Sequence, residues 1–377
     1  MKQSITLLSL LQSLLSDEEI QSILQEIGYE DTARTLDVQT LIQYLVTAAV
    51  SEWKSFRHGA DVASDNGLPR VHYSTFSKKT SMVPFSLMKR VFHLIVRKCN
   101  RALRRGLKFP KPLLIVDSTT MTVGKTRLPW AVYHGERSGV KLHVSYTPAT
   151  EMPLQVVETI GLAHDGPVGE QLTHSEFILV EDRAYGKLKR LDQFAKDGQL
   201  FVIRLRENVK LYRPKGLQRL AKPNSPVLRD ITCQLGTEQS RTKKRHRVVI
   251  FQDDEGREMR VVTNVMNISA ELIADMYKTR WNIETFFRWI KQHLNVPVLF
   301  GTTENAVFNQ LYAALLAYVL LKWLFQQAKL HAFRDCSFAS FTRMFLHHTL
   351  PVDWQGAIAL VFKRIRDFQG IGLPIFG

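Results

Sequence analysis

Three carboxylates stand where phosphate chemistry would need them. Asp117 follows the apolar run Leu113-Leu-Ile-Val116, and Asp182 follows Phe177-Ile-Leu-Val180 and Glu181. Each run reads as a buried strand ending near its acid, and open α/β sheets bind ligands beyond the carboxyl ends of their strands. Glu284 lies far downstream, on a segment read as one long helix from Ala270 to Leu294 with Ser269 as its N-cap. Singly, such acids often cap a helix or close a turn. Together they suit phosphodiester cleavage, which needs a nucleophilic water and a stabilised leaving oxygen. Two divalent cations about 3.5–4 Å apart can serve both if hard carboxylate oxygens hold them.

The same helix carries a second pattern. Tyr277, Arg280, Glu284 and Lys291 are spaced at 0, 3, 7 and 14 residues. At about 100° per residue they share a stripe roughly 60° wide. A plain Arg280–Glu284 ion pair at i,i+4 accounts for two of them. It does not account for a phenol, a guanidinium, a carboxylate and an ammonium aligned on a helix that also carries Trp281, Phe286, Phe287 and Trp289. Arg and Lys beside a metal-binding carboxylate suit phosphate clamping.

The spacing Tyr277-x2-Arg280-x3-Glu284-x6-Lys291 resembles the Tyr-Arg-Glu-Lys signature of bacterial insertion-sequence transposases of the "IS four" group. Val116-Asp-Ser-Thr-Thr120 and Glu181-Asp-Arg-Ala-Tyr-Gly186 are similar to the segments that carry that family's two Asp residues. His164-Asp165 resembles a further recurring element, usually outside the triad. The resemblance covers roughly residues 110–300. It implies an α/β, ribonuclease H-like catalytic domain with an Asp-Asp-Glu triad of Asp117, Asp182 and Glu284. It implies two Mg²⁺ ions per site, with Mn²⁺ able to substitute. It also implies cut-and-paste transposition of double-stranded DNA, both transposon ends and target, by a homodimer. Some relatives seal the excised end into a hairpin and flip a base onto a tryptophan that follows the signature Arg; Trp281 matches that position. Packing within the helix is the plainer role for its ring.

The elements that must position these groups follow a consistent order. Val140–Tyr146 alternates as a half-buried strand, and Leu154–Val157 reads as another. Helices are expected near 168–174 and over 186–197, with a strand at Leu200–Ile203 between the second helix and a break in the pattern. Three strands followed by alternating helix and strand suggest a sheet with helices on its faces. Residues 206–262 carry three prolines, the basic run Arg241–Arg247 and a hairpin around Asp253–Gly256, and read as a β-rich insertion. The expected organisation is therefore a helical DNA-binding region (1–110), a catalytic domain (111–300) and a helical C-terminal region (301–377).

Charge supports a polyanionic partner. The chain of 377 residues has 51 Lys+Arg against 35 Asp+Glu, a net charge of +16. Residues 1–65 hold four bases and ten acids, whereas 66–116 hold twelve bases and no acid. A solvated face is the usual meaning of such a run, but its length without one compensating carboxylate favours DNA contact, with Arg101, Arg104 and Arg105 as candidates. Tyr73–Lys79 reads as a loop and helix start suited to phosphate contacts, and Pro84 precedes a helical pattern from Phe85 to Leu103.

Other chemistries find less support. Cys99, Cys233 and Cys336 lie far apart, which argues against a zinc ribbon or a disulfide framework and suits a reducing cytoplasmic setting. His143, His164 and His174 lack zinc spacing, and Gly124-Lys-Thr126 lacks the first glycine of a phosphate loop. Lys141 and His143 share one face of their strand. The apolar run Leu311–Leu321 is too short to span a bilayer, so no membrane partner is expected. Two alternative functions remain on the sequence: a nuclease of the same fold that never joins strands, and a domesticated DNA binder without catalysis. The second is disfavoured because all three triad positions hold acids. Replacing Arg101, Arg104 and Arg105 together by Ala is expected to weaken DNA binding and flatten its salt dependence, by about 0.9 in slope for each phosphate no longer neutralised. Salt-titrated binding checks this, and an unchanged slope would reduce these bases to a solvated face.

Overall fold

In the computed structural model, residues 5–51, 53–101, 109–217, 224–296 and 298–370 are described. Arg104 and Arg105 lie outside them, as does the side chain of Arg101.

The amino-terminal third is helical: α1 (Leu7–Leu14), α2 (Asp17–Ile27), α3 (Val38–Val50), α4 (Phe56–Asp61), α5 (Tyr73–Met82) and α6 (Phe85–Arg101). Thr6 and Ser16 each form a reciprocal capping box, which satisfies backbone donors that a helix start leaves unpaired. The segment 73–79 is helix, not loop. The basic run proves partly compensated from a distance. Lys98 pairs with Glu19 at 2.6 Å, Lys89 with Glu158 at 2.9 Å, Lys79 with Asp31 and Arg90 with Glu26. Four of the twelve bases are thus engaged in ion pairs within the fold, two of them between α6 and α2. Arg70, Lys78 and Arg97 remain exposed.

A nine-stranded sheet forms the body: β1 (Leu113–Gly124), β2 (Arg137–Thr147), β3 (Met152–Ile160), β4 (Ile178–Glu181), β5 (Leu200–Arg204), β6 (Leu211–Gly216), β7 (Val227–Leu235), β8 (His246–Gln252) and β9 (Glu258–Thr263). Their order is β3-β2-β1-β4-β5-β9-β8-β7-β6. Strands β1, β2 and β3 form an antiparallel meander, and β1, β4 and β5 run parallel. The parallel strands are reached through α7 (Asp165–Gln171) and α8 (Leu188–Asp197), in keeping with the crossovers that parallel pairing requires. β2 is not half-buried: from Ser138 to Thr147 only Lys141 is less than buried. Helices cover one of its faces and α7 the other, so alternation in its sequence does not mark a solvent side. The hairpin expected around Asp253–Gly256 joins β8 to β9, and β9 pairs antiparallel with β5 from Val202↔Thr263 to Arg204↔Val261. The insertion therefore continues the sheet.

Two sequence expectations change. β1 does not end at Asp117 but runs on to Gly124, paired with β2 alone over its second half. The long helix is two helices, α9 (Ala270–Lys278) and α10 (Trp281–His293), with Ser269 capping the first as expected. The junction is tightened by short-range bonds, Arg280 N–H to Tyr277 O at 3.0 Å and Asn282 N–H to Thr279 O at 2.9 Å.

α11 (Glu304–Lys329), α12 (Phe338–Leu346) and α13 (Val352–Gly370) complete the chain. Among the described residues, α11 is long and apolar enough to cross a membrane, but its whole apolar window is buried inside the protein. It packs against α1, α3, α5, α6, α13 and β3, so the first and last helices share one core with the sheet. Tyr312 on α11 donates to Val156 O at 3.2 Å and to Glu158, tying that core to β3.

The extended half of the sheet carries its own lock. Arg247 on β8 is fully buried, pairs with Asp230 on β7 through two 2.8 Å bonds, and donates to Val265 O and Ile268 O at 3.0 and 2.9 Å. Removing one member of a buried pair leaves a charge without compensation. Arg247→Met is expected to cost about 3–5 kcal/mol in urea unfolding, while Arg247→Met with Asp230→Leu recovers much of the loss. A loss below about 1 kcal/mol, the level of an exposed pair, would contradict this reading.

Candidate active site

Strand register brings the first two acids together. The parallel pairing of β1 with β4 ends at Val116↔Glu181, so the next step places Asp117 beside Asp182. Adjacent strands lie about 4.8 Å apart, hence two residues separated by 65 positions become neighbours. Three devices fix the Asp182 end. Glu181 is fully buried and held by Arg190 of α8 through two bonds of 2.7 and 3.0 Å. Arg190 also donates to Tyr185 O at 3.2 Å and lies over the Phe194 ring at 4.5 Å. Gly169 lets α7 approach the turn that follows Asp182, because a Cβ there would sit 2.6 Å from the Tyr185 ring.

The third acid arrives from the α9–α10 junction. Arg280 Nη2 lies 2.6 Å from Glu284 Oε1, and its Nη1 lies 3.5 Å from Asp117 Oδ2. Tyr277 Oη donates to Asp182 Oδ1 at 3.3 Å. Asp117, Asp182 and Glu284 therefore gather around the signature Arg and Tyr. The plain Arg280–Glu284 pair is present, but Arg280 spans two of the three acids. Lys291 Nζ donates to Thr120 O at 3.3 Å, fastening α10 to β1 three residues beyond Asp117. Trp281 is 56% exposed next to Arg280, so packing within the helix does not account for its ring.

Electrostatics follow from this crowding. Burial pushes the Asp117 carboxyl up to about 6, with Asp182 and Glu284 adding to the rise and the Ser118 N–H and Arg280 opposing it. Burial raises the Tyr277 phenol to about 12, keeping it a donor, and lowers Lys291.

The sequence pointed to Asp165, Lys141 and His143 separately but did not join them into one supporting cluster. Asp165, at the start of α7, accepts from Ser118 Oγ at 2.8 Å and lies 3.4 Å from Lys141 Nζ and 3.5 Å from His143 Nδ1. Lys141 and His143 thus face α7 behind Asp117, on the side away from Glu284. Burial lowers His143 to about 4, leaving it neutral at ordinary pH. The three candidate histidines do not converge, and among the described residues no three His, Cys, Asp or Glu side chains enclose a cation. The Arg280 guanidinium supplies the positive charge between Asp117 and Glu284. Carboxylate oxygens are nonetheless the donors that hard divalent cations take, and Asp117, Asp182 and Glu284 supply them.

Two carboxylates side by side on a mixed α/β sheet, a third from a helix and a guanidinium among them are the groups that an enzyme handling phosphate esters would use. A family model described as the transposase DDE domain matches residues 108–320. A probable transposase for insertion sequence element IS5377 of Geobacillus stearothermophilus is 57% identical over 377 residues, all of both chains. A putative transposase for insertion sequence element IS4SA of Synechocystis is 29% identical over 266 residues, 67% of this chain and 72% of the other. The chain is also similar to piggyBac transposase in a synaptic complex with hairpin DNA, at 12% identity and a TM-score of 0.48 over 98% of this chain and 85% of the other. The protein belongs to the DDE transposases of bacterial insertion sequences, enzymes that act on DNA and generally use divalent metal ions.

The raised Asp117 pKa has a measurable consequence without metal. The folded protein holds the Asp117 proton up to about pH 6, against 3.8 as the ordinary value. Between those values the unfolded chain binds fewer protons, so stability falls as pH rises through that window. The difference of about two pKa values corresponds to at most about 3 kcal/mol. Asp117→Asn is therefore expected to melt higher than the parent at pH 7 in chelator and to match it below about pH 4. Equal melting points at both pH values would show that Asp117 titrates normally.

Proposed function

We propose that this transposase excises and inserts its element by cut-and-paste chemistry, with Asp117, Asp182 and Glu284 as the catalytic, metal-holding residues. The observation that carries the proposal is their convergence on Arg280 and Tyr277 from three separate parts of the chain. Two divalent ions, Mg²⁺ or Mn²⁺, would activate water or a terminal 3′-hydroxyl and stabilise the leaving oxygen. The rest falls to the protein's own groups. Asp117 and Asp182 stand on paired strands, so their spacing changes little during the reaction. Glu284 comes from a separate helix and closes the third side. Arg280, freed from Asp117 and Glu284, would grip the scissile phosphate. Tyr277 keeps its proton and would donate to a phosphate oxygen or to Asp182. Lys291 lies along the same path, and the exposed Trp281 ring is available to stack on a base.

The strand order β3-β2-β1-β4-β5, an antiparallel meander followed by two parallel strands, supports the ribonuclease H-like reading for 111–300. Within this reading residues 1–110 contact DNA, including Arg101, Arg104 and Arg105. Residues 301–377 serve DNA contact or dimerisation, and the enzyme acts as a homodimer holding two transposon ends.

Glu284→Gln keeps size and removes charge. Cleavage should fall to background, while metal-free binding to end DNA persists or improves because a carboxylate facing phosphate is gone. Arg280→Ala removes a phosphate clamp, so binding should weaken together with rate. Loss of a charge-assisted bond costs about 1.5–3 kcal/mol, or roughly ten- to hundredfold. Metal-dependent cleavage and metal-free binding on one end substrate decide the matter. Full cleavage by Glu284→Gln would remove it from the triad. Identical defects in two folded variants would leave only a structural ion pair.

A further inference from the structure

The basic run 241–247 has no part in the site above, and the fold carries it to the opposite end of the sheet. β6 is the last strand, and the loop between β7 and β8 folds beside it. Between them lies a cleft of about 560 Å³ lined by Lys210, Leu211, Tyr212 and Arg241 and by the turn 236–239. The Arg241 guanidinium carbon sits 3.4 Å from the centre of the Tyr212 ring, and its Nε is buried without a hydrogen-bond partner. Gly236 closes the turn at φ +99°, where an added Cβ would lie 2.6 Å from Leu188 and 2.8 Å from Ser240 O. Asp192 of α8 accepts the Lys243 and Lys244 backbone N–H groups at 2.7 and 3.1 Å, anchoring the loop while both side chains stay exposed. Lys210, Arg213 and Lys215 are exposed along β6, and Glu238 is the single acid lining the cleft.

Bases, Pro214 and the register shift between Tyr212 and Lys215 would also keep an edge strand from pairing with another chain. Edge protection needs no guanidinium stacked on a tyrosine over an open cleft, with a donor left unused. Such a guanidinium presents its remaining N–H groups to an anion, and phosphate accepts them as a fork. From β4 to β6 the sheet takes five steps, through β5, β9, β8 and β7. At about 4.8 Å per step that is ~24 Å across the strands alone; the pairing of Gly216 with Ile231 and of Leu211 with Leu235 sets Lys210 and the turn 236–239 further off still, at the end of the strands away from the carboxylates.

We propose that Lys210, just before β6, and Arg213 and Lys215 on it, with Arg241, Lys243 and Lys244 of the facing loop, form a second DNA site. It would hold the phosphate backbone of the duplex away from the cut. Its separation from the cut rests on the reading that the carboxylates mark the cut; the site itself does not. The test uses the full chain in chelator, so it needs neither metal nor the triad, and a duplex carrying the inverted repeat that flanks the reading frame. Arg241→Ala with Lys243→Ala and Lys244→Ala should flatten the salt dependence of binding by up to about 2.7, at about 0.9 per phosphate. Phosphate-ethylation interference inside the element, away from the cut, should disappear with it. Lys243→Gln with Lys244→Gln, which leaves the Arg241–Tyr212 stack in place, should flatten the slope by about two-thirds as much. An unchanged slope and interference pattern in both folded variants would overturn the proposal, as would interference that disappears only at the cut. Failure of the triad would instead appear as cleavage by Glu284→Gln, with these binding results unaffected.

Discussion

Four residues of parallel pairing between β1 and β4 determine where Asp117 and Asp182 meet. Backbone hydrogen bonds cannot slip by one residue here, because every side chain of Leu113–Val116 and of Ile178–Glu181 is buried. With the register locked, Asp117 and Asp182 must stand side by side where β4 stops and β1 goes on. Nothing else in the site has that rigidity. Glu284, Arg280 and Tyr277 come from helices seated against the sheet, and their place depends on packing. A fully buried part of the sheet thus carries the two aspartates, and a separate element carries the glutamate.

Placing three acids together is unfavourable, and the structure shows how the cost is met. Asp117 holds its proton more tightly, and Arg280 lies between it and Glu284. Both responses are reversible, which matters for an enzyme whose substrate is an anion and whose cofactors are cations. A guanidinium that balances carboxylates in one state is free to bind phosphate in another if divalent ions take over its role, and the proposed mechanism uses that exchange. The buried pair Glu181–Arg190 is different. It has no exposed face and two short bonds, so it holds β4 and α8 in place without taking part in the exchange.

The sequence was most legible where local pattern and final environment agree. Leu113–Val116 and Ile178–Val180 are continuous apolar runs, and both are buried central strands. Ser269 is a cap by type, by position and by its bond to Leu272 N–H. The errors have a common cause, which is tertiary context that a linear pattern does not carry. β1 continues past Asp117 because β2 pairs with it there, although residues 117–120 are polar. β2 alternates, yet both of its faces are covered. The helix expected over 270–294 breaks at Thr279, whose hydroxyl bonds to Met276 O at 2.6 Å, a contact available to any helical threonine. The run of bases from 66 to 116 looked uncompensated only along the chain; its acids come from α2, from Asp31 and from β3. Asp165 and Arg190 were missed as supports because neither stands in a spacing with what it touches.

The continuity of the sheet also changes what an insertion means here. A β-rich segment between the second and third acids would, as a separate lobe, have little mechanical relation to them. Joined through β5 and β9, it shares one hydrogen-bonded surface with β1 and β4. A sheet is stiff along its hydrogen-bonding direction, since displacement there must stretch several bonds at once. Buried pairs such as Arg247–Asp230 resist shear between its strands as well. The helices α9 and α10 leave this same extension directly after β9, so whatever positions β9 also positions Tyr277, Arg280 and Glu284. α9 packs on β4, β5, β7 and β8 together, bridging the two halves of the sheet. A load applied at the far strands therefore reaches α9 through bonded structure, and Glu284 through the short junction that joins α9 to α10.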